Sequence, residues 1–104
     1  MFIKSIAKAV TLGVALSLPF LVSANEELAK KSNCLACHTV DKKILGPAYK
    51  DVAAKYENNP ETVKMLVDKI KKGGSGTWGQ MPMPPNPMIS DEDAKTLVEW
   101  VLSQ

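Results

Sequence analysis

The chain contains no arginine, one histidine and two cysteines, and these scarcities exclude several classes of protein. Without arginine it lacks the planar, bidentate donor that commonly grips phosphate groups. Two cysteines form at most one disulfide, which excludes a disulfide-rich scaffold. A structural zinc site takes four nitrogen or sulfur ligands, and two cysteines with one histidine fall one short. We also find no internal repeat and no alternating pattern typical of β-strands.

Residues 1–24 are predicted to be a secretory signal peptide that is removed from the mature protein. Lys4 and Lys8 give it a positive start, and the next 16 residues are uncharged and mostly apolar. Val22 and Ala24 are small residues at the positions that a signal peptidase reads, so we expect cleavage between Ala24 and Asn25. The alternative is an uncleaved membrane anchor, but a spanning helix needs about 20 apolar residues.

Cleavage would leave one domain, residues 25–104, in which 11 lysines balance 11 acidic residues. No basic excess remains to suggest a nucleic acid partner. A domain of this size buries little apolar surface and usually needs a disulfide, a metal or a cofactor to stabilise its fold. The small size therefore predicts a bound group that completes the core.

Helical periodicity and capping residues predict an all-α domain with four helices. Asn25 is expected to cap the first helix, which should bury Leu28. Ser90 is expected to cap the last helix, with Asp93 as the reciprocal partner of a capping box. The expected helices cover residues 25–33, 48–56 and 60–72, and a segment that follows Ser90.

The last two predicted helices each carry an apolar stripe that should face the core. The stripes consist of Val63, Leu66, Val67 and Ile70 in one helix, and Ala94, Leu97, Val98, Val101 and Leu102 in the other. Between these helices, residues 73–89 form a 17-residue loop with four glycines and four prolines. Loops that long are usually functional in small domains, and the prolines predict a stiff one because each fixes its own φ.

Cys34, Cys37 and His38 form a Cys-x-x-Cys-His motif, which indicates covalent attachment of a haem. The spacing puts two thiols on one side of a turn, where they can add to the two vinyl groups on one haem edge. His38 then projects its imidazole toward the iron. A thioredoxin-like pair would lie in a βαβ unit, and no strand pattern is present. A plain disulfide would leave His38 and the proline-rich loop unexplained.

One histidine fills one axial position of the iron, and the chain offers methionine sulfur for the other. Met65 lies among apolar neighbours in a predicted helix, so we assign it to the core. Met81, Met83 and Met88 lie in the loop. Prolines on both sides of Met83 would hold its thioether in place, which favours Met83. Met81 and Met88 remain alternatives from the pattern alone, as does simple packing of all three.

Several segments together resemble a class I c-type cytochrome, most closely the small bacterial cytochrome c-551 type. They are the export signal, the attachment motif, the segment 46–49 and the run 76–86, and the resemblance covers nearly all of residues 25–104. It implies a class I cytochrome c fold, with about four helices wrapped around one covalent haem c. It also implies that Met83 is the axial methionine.

The resemblance implies roles for four residues around the haem. The Pro47 carbonyl would accept the other ring N–H of the ligand histidine and so orient the ring. The indole N–H of Trp78 would donate to a haem propionate, and the amide of Asn86 would steady the methionine sulfur. Lys69 would face a propionate as a point charge, without bidentate pairing.

The expected function is a monomeric, periplasmic one-electron carrier, because His/Met ligation leaves the iron no open position for a substrate. The resemblance suggests a quinol-oxidising complex as donor and nitrite reductase or a terminal oxidase as acceptor. Docking is expected to be brief, through a small interface near the haem edge, with steering by nearby lysines. The alternatives are an enzyme or gas sensor with an open position, and a membrane-tethered cytochrome that retains residues 1–24.

Overall fold

The structure, a computed structural model, describes residues 24–104 of the chain. The predicted signal peptide, residues 1–24, lies outside this part except for Ala24, so its removal stays a prediction. Among the described residues no helix is both long enough and apolar enough to cross a bilayer.

Four α-helices contain about half of the described residues, and the predicted all-α fold is confirmed. A short 3₁₀ turn, Cys34–Ala36, lies between the first two helices. Between residues 24 and 104 there is no strand, only an isolated antiparallel bridge between Gly74 and Met83. The helices are α1 (Ala24–Lys31), α2 (Tyr49–Lys55), α3 (Pro60–Lys72) and α4 (Asp91–Leu102).

The starts of α3 and α4 follow from side-chain caps. The Asn59 side chain accepts a hydrogen bond from the Thr62 backbone N–H at 2.8 Å, with Pro60 at the first helical position. The Ser90 hydroxyl accepts from the Asp93 backbone N–H at 3.0 Å, which confirms the predicted cap. The reciprocal bond from the Asp93 side chain is not formed among the described residues.

The prediction for the first helix is wrong in two details. Asn25 lies inside α1 and does not cap it, because Ala24 before it is already helical. Leu28 is only partly buried, and the fully buried residue is Ala29. Ala29 packs in one cluster with Ala94 of α4, so two small side chains allow the helices to approach closely.

The core forms two clusters, and α4 contributes to both. The first contains Ala29, Ile89, Ala94 and Leu97, and the second contains Val52, Val63, Val98 and Leu102. The predicted stripe of α4 is therefore confirmed as the central contact surface. In α3 only Val63 is fully buried, because Leu66 and Ile70 line a cavity beside the core.

Met65 is 44% exposed, so its assignment to the core is wrong. It follows the buried Val63 by two positions, which places it about 200° around the helix axis. Met65 therefore lies on the face of α3 opposite Val63, although its neighbours in sequence are apolar.

The 73–89 loop folds back on the end of α3. Gly74 N–H donates to the Met83 carbonyl at 3.1 Å, and Met83 N–H donates to the Gly74 carbonyl at 2.7 Å. Asn86 N–H donates to the Ile70 carbonyl of α3 at 2.9 Å. These bonds hold the loop at fixed points, and they set the position of the Met83 backbone.

Candidate functional site

The attachment motif lies on the 3₁₀ turn after α1. Asn33 adopts a left-handed conformation with φ of 65°, which reverses the chain before Cys34. The backbone N–H groups of Cys37 and His38 both donate to the Cys34 carbonyl, at 3.2 and 3.0 Å. Both cysteines are free, partly buried thiols, and both line one cavity of about 280 Å³ together with His38. The turn thus brings the three motif residues to the same wall.

His38 is held by the segment that precedes α2. Its Nδ1 lies 2.8 Å from the Pro47 carbonyl oxygen, the contact that the resemblance implies. Because the carbonyl only accepts, Nδ1 carries the proton and Nε2 keeps its lone pair for a metal. Gly46 is adjacent, and a Cβ there would lie 2.5 Å from His38 Cε1, so the imidazole fills the space of a side chain.

Tyr49 packs directly on the imidazole of His38, a contact that was not predicted from the sequence. The two ring centroids are 5.1 Å apart with an angle of 22° between the planes. The ring edge of Trp100 in α4 meets Tyr49 at 5.5 Å and 74°. Tyr49 and Trp100 are far apart in the sequence. The only sequence signal for a contact with His38 was the presence of an aromatic residue close to Gly46 and Pro47.

The thiol of Cys34 donates to the Ser32 carbonyl at 3.9 Å, and the Tyr49 hydroxyl lies near it. Burial raises the pKa of the Cys34 thiol above its ordinary value, and the neighbouring Tyr49 hydroxyl lowers it in part. Burial likewise raises the pKa of Tyr49, with a further rise from the nearby Cys34 sulfur. Both groups therefore stay protonated at neutral pH.

The loop supplies another part of the cavity wall. Met83 and Met81 both line the cavity, whereas Met88 lies outside it and is 90% exposed. Met83 is partly buried and its backbone is fixed by the bridge to Gly74, while Met81 is 61% exposed. The structure therefore brings two of the three candidate methionines to the cavity that contains His38.

The mouth of the cavity carries an indole and basic side chains. Trp78 and Lys69 line the cavity, and Lys69 Nζ lies next to Gly74. Lys55 Nζ lies 5.5 Å from the Trp78 ring centroid and 5.7 Å from that of Tyr56, a cation–π arrangement that the sequence did not reveal. The indole N–H of Trp78 and the ammonium group of Lys69 are thus donors on the cavity wall that suit an anionic group.

Asn86 lies outside the cavity lining. Its side-chain Nδ2 donates to the Ser32 carbonyl at 3.3 Å, so the amide joins the loop to the residue that follows α1. Among the described residues it forms no hydrogen bond to the sulfur of Met83. The structure therefore shows Asn86 anchoring the loop.

The sequence model of the family described as Cytochrome c matches residues 22–104 of the chain. The chain belongs to this family. Cytochrome c-552 of Nitrosomonas europaea is 52% identical to it over 89 residues, which cover 86% of each chain. Cytochrome c-551 of Azotobacter vinelandii is 54% identical over 78 residues, 75% of this chain and 94% of the relative. The crystal structure of wild-type N. europaea cytochrome c552 aligns with a TM-score of 0.70 and 56% identity, covering 74% of this chain and 95% of that one.

The chain is thus a class I c-type cytochrome, a small haem electron carrier with covalently bound haem c. The residues of the cavity fit that cofactor. Two free thiols and an imidazole with an available Nε2 share one wall, and apolar side chains of α2, α3 and α4 supply much of the rest. No Cβ is tolerated at Gly46, where the imidazole must lie close to the backbone.

Proposed function

We propose that this cytochrome c is a one-electron carrier of the periplasm, with a single haem bonded to Cys34 and Cys37 and ligated by His38 and Met83. One observation carries the proposal: both thiols, the histidine and this methionine line the same cavity. With both axial positions filled by the protein, no position stays open for a substrate, which favours a carrier over an enzyme or a gas sensor.

His38 is prepared for its role by its hydrogen bond to Pro47. The bond to the carbonyl, 2.8 Å long, fixes the tautomer with Nε2 unprotonated and restrains the ring. An imidazole that is already oriented has little to rearrange when the charge of the iron changes. Bound haem iron supplies the one-electron change itself, between its ferric and ferrous states.

Met83 and the apolar walls favour the reduced state. A thioether is a soft, weakly donating ligand, which raises the potential of haem iron. Walls formed by residues such as Leu66, Ile70 and Val98 exclude water and disfavour the more positively charged ferric form. These residues suit a carrier that takes electrons from a donor and passes them to a terminal acceptor.

We propose supporting roles for the residues at the rim and in the loop. Trp78 donates its indole N–H to a haem propionate, and Lys69 adds a positive charge beside it. Asn86 supports Met83 through its bond to the Ser32 carbonyl, which holds the loop, since the sulfur contact implied by the resemblance is not formed.

The proposed location and partners follow from the predicted signal peptide and the exposed rim. Residues 1–24 direct export and are removed. Leu45, Trp78 and Met81 are exposed apolar side chains that line the cavity, so this patch is the proposed docking surface. A small interface there suits brief contact of a monomer with a quinol-oxidising complex, and with nitrite reductase or a terminal oxidase. Exposed lysines nearby, such as Lys42, steer the encounter.

The ligand assignment is tested with the haem-loaded mature protein and three alanine variants. Met83→Ala should bind carbon monoxide in the ferrous state and lose its high potential, because it opens an axial position. Met81→Ala should behave as wild type, and Met88→Ala is the matched control from the same loop, since that side chain is outside the cavity. If Met81→Ala binds carbon monoxide and Met83→Ala does not, the assignment is wrong.

Export is tested by the mass of the protein purified from the periplasm. We expect the mass of residues 25–104 plus one haem. A mass that includes residues 1–24, with the protein in the membrane fraction, would instead support a tethered cytochrome.

A further inference from the structure

We infer that Tyr49 is a positioning residue, which sets the orientation of the His38 imidazole by stacking on it. The inference rests on the proposed role of His38 as an axial ligand. It goes beyond that role because it assigns the control of the ring to a side chain from α2.

A hydrogen bond alone does not define the orientation of His38. The Pro47 carbonyl restrains the ring at Nδ1 only. Rotation about χ2 of histidine is broad, so contacts on the ring itself decide its angle. Tyr49 supplies such a contact, with centroids 5.1 Å apart and planes at 22°, which is an offset-stacked geometry.

Tyr49 is itself held firmly from two sides. It is 6% exposed, and its backbone N–H donates to the Thr39 carbonyl at 2.8 Å at the start of α2. The ring edge of Trp100 contacts it from α4 at 5.5 Å. The imidazole therefore takes its orientation from α2 and, through Trp100, from the central helix.

The ring and the hydroxyl of Tyr49 have different neighbours, so their effects can be separated. The hydroxyl lies near the sulfur of Cys34, whereas the ring stacks on His38. Phenylalanine keeps the stack and removes the hydroxyl. Leucine fills much of the space but removes both.

The experiment compares haem-loaded Tyr49→Phe and Tyr49→Leu with wild type. The orientation of a ligand ring affects the electronic state of the metal, so it is read from the paramagnetic proton NMR shifts of the ferric protein. Tyr49→Leu should change the pattern of these shifts, and its equilibrium constant for reduction should change at least about threefold. Tyr49→Phe should match wild type in both. Met65→Leu is the control, since Met65 is exposed on α3 and lies outside the cavity, and it should match wild type in both measurements.

Two results would overturn the inference. One is a wild-type NMR pattern in Tyr49→Leu despite a lower unfolding temperature, which would make Tyr49 a packing residue only. The other is an equal change in Tyr49→Phe, which would assign the effect to the hydroxyl. If Tyr49→Leu does not load haem, Trp100→Leu replaces it, because this variant removes the support of the stack and leaves both stacked residues in place. A wild-type pattern in Trp100→Leu would then overturn the inference.

A failure of the proposed function would look different. It would show in the wild-type protein, as carbon monoxide binding without any substitution. If the wild-type protein does not bind carbon monoxide and the NMR shifts of Tyr49→Leu are unchanged, only the role of Tyr49 is rejected.

Discussion

Gly46 lies so close to the imidazole of His38 that a methyl group has no room beside it. A Cβ there would lie 2.5 Å from Cε1 and 2.8 Å from Nδ1, well inside the contact distance of about 3.5 Å for such atoms. The Gly46 N–H donates to the Cys37 carbonyl at 2.7 Å, so its backbone is held in place. The histidine is therefore the group that must move if residue 46 gains a side chain.

Gly46→Ala is expected to lower the free energy of unfolding by about 1–3 kcal/mol, the usual effect of overpacking. It should also shift the redox potential, since the displaced ring is the proposed ligand. Urea unfolding and a redox titration of the haem-loaded protein measure the two effects. Gly79→Ala is the comparison: its φ of 112° makes alanine strained, but no atom lies within 4 Å of the added Cβ, and Gly79 does not line the cavity. It should lose stability without a shift in potential, and an unchanged potential in Gly46→Ala would contradict the prediction.

At the scale of single residues, functional residues could be predicted from the sequence where their chemistry requires a fixed spacing. Cys34, Cys37 and His38 were predicted because haem attachment demands a fixed spacing, and the three residues line one cavity. Tyr49 was missed because its partner Trp100 lies in another helix, and such contacts leave no local pattern. Met65 was misplaced because apolar neighbours do not show which face of a helix is buried.

At the scale of elements, α3 depends on a cap that is independent of the haem cavity. Asn59 accepts the Thr62 backbone N–H at 2.8 Å and does not line that cavity. Asn59→Ala should therefore lower the free energy of unfolding by about 1 kcal/mol and leave the potential unchanged.

The control for this prediction is Asn59→Ser, because serine is also a good cap. It should retain most of the stability of wild type when both variants are unfolded in urea. Equal losses in the alanine and serine variants would show that the side-chain bond to Thr62 does not stabilise α3.

The helix ends were predictable where the signal is local. Asn59 and Pro60 start α3, Gly73 ends it with φ of 75°, and Ser90 caps α4, all as their residue types indicate. The position of Asn25 was not, because a residue type that favours caps can also lie inside a helix. The path of the loop over α3 also depends on tertiary bonds that no local pattern encodes.

At the scale of the whole molecule, the core is divided around a cavity whose residues fit haem c. The two apolar clusters meet along α4, and several partly buried side chains that pack against them, including Leu66 and Ile70, also line the cavity. Without the cofactor these side chains lose packing contacts and face water. A domain this small has little other apolar area to compensate. The small size of the domain was enough to predict that the fold depends on a bound group.

Cys34→Ala should load haem poorly and yield a poorly folded chain. It removes one of the two proposed attachment sulfurs, which also lies near the Tyr49 hydroxyl. The measurements are haem absorbance per polypeptide and far-UV circular dichroism, with Met88→Ala expressed in parallel as the exposed-site control. A haem-free Cys34→Ala protein with full helical signal would show that the fold does not need the cofactor.

The 73–89 loop begins and rejoins the fold at neighbouring carbonyls of one helical turn. Gly73 N–H donates to Lys69, and Asn86 N–H donates to Ile70, at 2.7 and 2.9 Å. Because these two attachment points are adjacent, the peptide between them can be exchanged for one of different length or composition without a change in the packing of the helices. The loop can therefore be replaced as one unit, in evolution or by engineering. A single short replacement then supplies a different residue at the position of the proposed iron ligand.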